Sequence, residues 1–126
     1  MADRPIVLLV DDDARVLSSL RRSLRREPFE IETAENAERA LERLAAAPRV
    51  GLVISDLRMP GMNGVELLKI VRQRHQDTVR ILLSGWTSEV SRADLEAADL
   101  FASHEKPWDD AALKASIRSA LGMSRQ

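Results

Sequence analysis

Five polar residues stand where aliphatic runs of the chain give out. Asp11 and Asp12 follow the run Ile6–Val10, and Asp56 follows Leu52-Val53-Ile54 after one serine. Ser84 ends the run over 79–83, and Lys106 comes shortly after Leu100-Phe101-Ala102. Carboxylates gathered at one edge repel and raise one another's pKa, unless a hard cation with oxygen ligands keeps them ionised. Mg²⁺ is the simplest such cation. Mg²⁺ also bridges phosphate oxygens, so the same set would present Asp56 to a phosphoryl group in line. Lys106 would then act as a point charge on the phosphoryl oxygens, and Ser84 would donate a hydrogen bond to one of them.

The elements that must position these groups are readable in outline. Ile6–Val10 is unbroken and aliphatic, as in a parallel strand covered on both faces. Val16, Leu17, Leu20 and Leu24 then share one side of a helix, with Arg15, Arg21, Arg22, Arg25 and Arg26 mostly on the other. The period-two run Phe29-Glu30-Ile31-Glu32-Thr33 predicts a strand nearer the sheet edge, and Ala37, Ala40, Leu41 and Leu44 predict a helix closed by Pro48. Leu52-Val53-Ile54 is the next buried strand, and Asn63 is set to cap a helix with Leu67, Leu68 and Val71 on its inner side. A strand over 79–83 stops at Ser84-Gly85. The stretch 87–99 offers only a thin apolar stripe, from Val90, Ala93, Leu95 and Ala97, and predicts a weakly held helix. Leu100-Phe101-Ala102 is the expected last strand. Asp109 or Asp110 caps a final helix carrying Leu113, Ile117, Ala120 and Leu121. Strand and helix alternate throughout, which predicts an α/β domain: a parallel sheet of five strands with helices on both faces. Ligands of such sheets bind beyond the carboxyl ends of the strands.

Composition narrows the function classes. The 126 residues suit one domain with a core at about 5–122, and 19 Lys plus Arg against 20 Asp plus Glu leave no global field toward nucleic acid or an anionic membrane. The absence of cysteine excludes disulfides and thiolate metal sites. No run approaches the ~20 apolar residues needed to span a bilayer, and the N-terminus lacks the order of a signal peptide, so a cytoplasmic location is expected.

The segments Leu8-Leu9-Val10-Asp11-Asp12, Asp56-Leu57-Arg58-Met59-Pro60-Gly61-Met62-Asn63-Gly64, Leu82-Leu83-Ser84-Gly85 and Lys106-Pro107-Trp108 together resemble the receiver domains of two-component response regulators. The spacing agrees too, with 44 positions from Asp12 to Asp56 and 22 from Ser84 to Lys106. The resemblance covers essentially the whole chain, 1–126, as a single receiver domain. It implies a flavodoxin-like (βα)5 fold with strand order 2-1-3-4-5. It implies that Asp56 accepts a phosphoryl group from a sensor histidine kinase or phosphotransfer protein, with Mg²⁺ on Asp12, Asp56 and the backbone carbonyl of Arg58 and with Asp11 acting largely through water. Such a domain is a signalling phosphoacceptor that catalyses its own phosphorylation and dephosphorylation. A cis bond between Lys106 and Pro107 is implied as well.

Each of these residues also has a plainer reading. Asp11 to Asp13 could be capping acids of the first helix, and Asp13 is best read so. A lone serine before glycine is usually a turn former. His75 and His104 read as ordinary surface residues. The arginine-rich helix face lacks interleaved aromatics and is poor evidence for nucleic-acid binding; the resemblance implies that kinases pack beside that helix. Ser103 stands where the family places an aromatic reporter, with Phe101 two residues earlier, and Trp86 could serve as the bulky sensor or as a lid or partner contact. Arg58 and Trp86 flank the site, and two large groups there imply slow self-dephosphorylation. The Ser-Gly-Trp and Lys-Pro-Trp-Asp variants resemble receivers attached to cyclic-dinucleotide phosphodiesterases or hybrid kinases. A phosphorylation-independent interaction module is the alternative; a Mg²⁺-dependent phosphatase lacks a second Asp at Arg58, and a flavin protein lacks a phosphate loop after the first strand. Output is expected through contact with an unidentified downstream partner, with homodimerisation through the fourth helix, last strand and last helix a family possibility.

Overall fold

The computed structural model describes residues 4–85 and 90–123. Its elements run β1 (Ile6–Val10), α1 (Ala14–Leu24), β2 (Glu30–Ala34), α2 (Ala37–Leu44), β3 (Leu52–Ser55), α3 (Gly64–Arg74), β4 (Val79–Ser84), α4 (Arg92–Ala98), β5 (Ala102–Glu105) and α5 (Asp110–Ala120). The five strands form one parallel sheet in the order β2-β1-β3-β4-β5. This is the α/β architecture, and the strand order, that the sequence and its resemblance predict.

Strand alternation divides the core into two layers. Ile6, Leu8 and Val10 join Val53 and Leu82 under α2 and α3, while Val7 and Leu9 join Leu52, Ile54, Ile81 and Leu83 under α1 and α5. Both faces are therefore buried, which is why β1 and the start of β3 read as unbroken aliphatic runs and β4 is aliphatic but for Arg80. Asp13 caps α1, Asn36 caps α2, Asp109 caps α5, and Asn63 forms a reciprocal capping box with Glu66 on α3. Each cap accepts from an amide that its helix leaves unpaired. Lys106–Pro107 is cis, as is Ala47–Pro48.

Four elements differ in their bounds from expectation. The strand expected over Leu100-Phe101-Ala102 lies two residues on, at Ala102–Glu105, and Phe101 is 49% exposed before it. β2 is shifted by one residue, and α2 ends at Leu44, ahead of Pro48, with Arg43 Nη1 donating to the carbonyls of Ala46 and Pro48. Of the stretch 87–99, residues 87–89 lie outside the described residues, and helix α4 occupies Arg92–Ala98 of the rest. His104 is more than a surface residue: half-buried, its Nε2 lies 2.8 Å from Ser116 Oγ and ties β5 to α5.

Candidate functional site

The parallel topology delivers the predicted groups to one sheet edge. Asp11 leaves β1 and its amide donates to Ala34 O at 3.2 Å, while the Asp56 amide donates to Val10 O at 2.9 Å, so ladder bonds fix both backbones. Side-chain oxygens of Asp11, Asp12 and Asp56 lie within 4.8 Å of one another. Asp11 is 3% exposed, Asp56 is 9% exposed and Asp12 is open to solvent. Lys106 Nζ, arriving from beyond β5, stands 2.7 Å from Asp11 Oδ2 and 3.1 Å from Asp56 Oδ1. Asp11 Oδ1 accepts from the Asp13 amide at 2.9 Å. Ser84 is buried at the end of β4, and its carbonyl accepts from the Lys106 amide at 3.3 Å.

The electrostatics are those of a crowded anionic pocket. Burial raises the Asp56 carboxyl above the usual range; Lys106 pulls it back by hydrogen bond and charge, and Asp11 pushes it up again. Burial opposes the charge on Lys106, but hydrogen bonds and attraction from Asp11 and Asp56 outweigh it and hold the ammonium above its ordinary value. Lys106 thus pairs with two of the three clustered carboxylates. Such an all-oxygen donor set with residual negative charge suits a hard divalent cation.

Two supports of Asp56 escaped the reading of single residues. Buried Ser55 donates its hydroxyl to Asp56 O at 2.9 Å, and Gly64, whose amide donates to Leu57 O at 2.8 Å, packs directly on that carbonyl. Gly64 was visible only as part of a loop motif; its signal was a glycine at the first helical position, where alanine ordinarily serves better. Arg58 is exposed and lines a cavity of ≈ 690 Å³ between the loop after β3, the start of α3 and α4. Trp86 lies outside the described residues.

A doubly wound sheet with an acidic pocket and a lysine at the carboxyl ends of its strands defines a class of α/β domain, and comparison with known proteins narrows it. Residues 7–118 match the response regulator receiver domain family. The chain is 40% identical over 116 residues to the hydrogenase transcriptional regulatory protein HoxA of Cupriavidus necator, covering 91% of this chain and 24% of that protein. It superposes on the signal receiver domain of an HD domain-containing protein from Pseudomonas fluorescens with a TM-score of 0.90 at 35% identity, covering 97% and 90% of the two chains. The response regulator TrrA of Thermotoga maritima, solved in complex with Mg²⁺-BeF, gives a TM-score of 0.83 at 32% identity over 93% and 99% of the chains. The chain belongs to the response regulator receiver domain family. It spans about a quarter of HoxA's length. Among the described residues no helix is long and apolar enough to cross a membrane.

Proposed function

We propose that Asp56 is the phosphoryl acceptor of a two-component switch. The observation that carries this reading is the convergence on Asp56 of Lys106, at 3.1 Å, and of two further carboxylates within 4.8 Å. An oxygen of Asp56 forms a bond to phosphorus as the bond from phosphorus to the donor's imidazole nitrogen breaks, the imidazole keeping the electron pair. Mg²⁺, held by Asp12, Asp56 and the Arg58 carbonyl with Asp11 through water, would neutralise charge on the phosphoryl oxygens. Lys106 turns from Asp56 to the transferred group, and the Ser84 hydroxyl donates to one of its oxygens. TrrA, with Mg²⁺-BeF bound, supports the same use of this pocket. Donors are a sensor histidine kinase or a phosphotransfer protein, docking beside the arginine face of α1.

Incubation with Mg²⁺ and a small phosphodonor, read by intact mass, tests the reading. One phosphoryl is expected on the wild type and none on Asp56→Asn. An equal gain on Asp56→Asn, or no gain with any donor, overturns it, the latter in favour of a phosphorylation-independent interaction module.

A further inference from the structure

Most cations of this chain are neutralised where they stand. Arg43, Arg49, Lys69, Arg80, Lys106 and Arg118 each form an ion pair with a carboxylate. Arg15, at the start of α1, pairs with Asp13 at 3.3 Å. The other end of the same helix is different. Arg21, Arg22, Arg25 and Arg26 are all exposed, and none of the four has an ion-pair partner among the described residues. Arg22 Nη2 reaches only Ser19 Oγ, at 3.2 Å. Sequence shows the arginines of this helix but not which of them are neutralised by distant elements.

A helix C-terminus favours cations, which accounts for a basic last turn. It does not account for four arginines together, since Arg21 and Arg25, like Arg22 and Arg26, stand about one turn apart, where like charges oppose each other. In the last turns of α2, α3 and α5 the corresponding arginines are engaged: Arg43 by Glu32, Arg72 by the carbonyls of Glu96 and Ala97, and Arg118 by Glu27. Further positive charge is brought to the end of α1. Arg4 Nη2 donates to Glu27 O at 2.8 Å, and Arg118 grips the Glu27 carboxylate at 2.7 and 3.0 Å. Asp110 is engaged too, accepting from Ser23 Oγ and Trp108 Nε1, both at 2.9 Å. The eleven residues of α1 set this end about 16 Å from the acidic pocket, beyond the ~8 Å over which exposed charges act at physiological salt.

The character of the surface selects its partner. Exposed pairs between arginines and the carboxylates of an acidic peptide are individually weak. A membrane surface would ask for apolar side chains to insert, and Leu24 and Phe29 are buried here, 1% and 3% exposed. A nucleic-acid duplex, by contrast, releases a condensed counterion for each phosphate that an arginine neutralises. Interleaved aromatics serve to stack on single-stranded bases, and a duplex backbone does not require them.

We propose that the arginines at the C-terminal end of α1 form a docking surface for the phosphate backbone of duplex DNA, bound without regard to base sequence. The proposal does not rest on the phosphoacceptor reading above.

Fluorescence anisotropy of a short labelled duplex, titrated with the full chain, tests it. Four phosphate contacts imply a slope of log K against log salt of about −3.6, so binding should weaken by about 100-fold between about 50 and 200 mM salt. Arg25→Gln/Arg26→Gln should lose about 1.8 of that slope, and Arg21→Gln, the second variant, about 0.9. Arg39→Gln/Arg92→Gln makes the same change of net charge on exposed side chains of α2 and α4 and should bind as the wild type does. Absence of binding at the lower salt, equal weakening by the two double variants, or preference for one duplex sequence over another overturns the proposal. Capture of vesicles of phosphatidylserine and phosphatidylcholine without binding to the duplex overturns it in favour of a membrane, and tighter binding to polyglutamate in favour of an acidic peptide.

Discussion

Gly64→Ala isolates the backbone support of Asp56. A Cβ built on Gly64 would stand 2.0 Å from Asp56 O, 2.8 Å from Asp56 C and 3.0 Å from Ser55 Oγ. Real contacts of this kind stay beyond 3.0 Å, so at least 1.0 Å must open between the α3 start and the acceptor's own carbonyl. The obstacle is backbone, with no side-chain end to swing away. Alanine would gain up to about 1 kcal/mol from helix propensity, whereas overpacking costs about 1–3 kcal/mol or more when backbone must move. The net expectation is a loss of about 2 kcal/mol, which lowers Tm by roughly 6–8 °C in a domain of this size. Chemistry should suffer more than stability. Displacing a reacting group by about 1 Å costs on the order of 100-fold in rate, here by carrying Asp56 away from Lys106. The assay is the rate of phosphoryl gain from a small donor with Mg²⁺, by intact mass, at a temperature where both proteins are folded. Gly61→Ala is the control, in the same loop: its φ is +78 with no atom within 4 Å of the added Cβ. It should cost about 1–2 kcal/mol from left-handed strain and leave the rate within about twofold. A Gly64→Ala protein with wild-type Tm and rate would refute the reasoning.

Lys106→Met leaves buried Asp11 and Asp56 without their cation, and in chelator it should lose about 3 kcal/mol or more of stability, partly restored by Mg²⁺; thermal denaturation with and without the ion checks this. Because burial holds the folded Asp56 carboxyl above its unfolded range, the folded state binds that proton more tightly, and this group's penalty fades as pH falls through the raised value. Asp56→Asn should accordingly be more stable than wild type at neutral pH in chelator, with the gap closing on acidification; a gap independent of pH removes the sign argument. Asn63→Ala should cost about 1 kcal/mol in urea unfolding by opening the capping box on α3. Charge reversal at Arg15 or Arg22 should slow transfer from a phosphorylating kinase and spare transfer from a small donor, and equal slowing of both sinks the docking idea.

What was legible in the sequence was whatever chemistry writes into residue type. Doubly covered strands are mostly aliphatic, so β1, β3 and β4 declare themselves even with Arg80 inside β4. Carboxylates after two of them, and capping residues such as Asp13 and Asn63, occupy positions that few other side chains fill. Contacts made through backbone or between distant elements leave weaker marks. Neither the Ser55 hydroxyl on Asp56 O nor the space that Gly64 leaves has a periodicity to read. The same holds for α4, whose thin apolar stripe gave no hint that Lys69, Arg72 and Arg80, all from earlier elements, supply its anchorage.

The misplaced last strand shows how the site itself carries information that hydrophobicity does not. β5 is an edge strand, half-buried on one face and exposed on the other, so its residues alternate and its most apolar neighbour, Phe101, lies outside it. A search for apolar runs therefore stops too early. The chemistry of Lys106 sets a different constraint. Its ammonium must reach Asp11 and Asp56, which leave β1 and β3, while its amide bonds to Ser84 O at the end of β4. In a parallel pair this fixes the register, with Ser84 opposite Glu105 and Leu82 opposite Ser103. Counting back from the lysine places the strand at Ala102–Glu105. It also turns Ser103 toward α4, where the groove beside Leu95 and Leu100 lies open. Ser103 is too small to fill that groove, so α4 has no side-chain wedge on this flank and is held from the other by Lys69, Arg72 and Arg80.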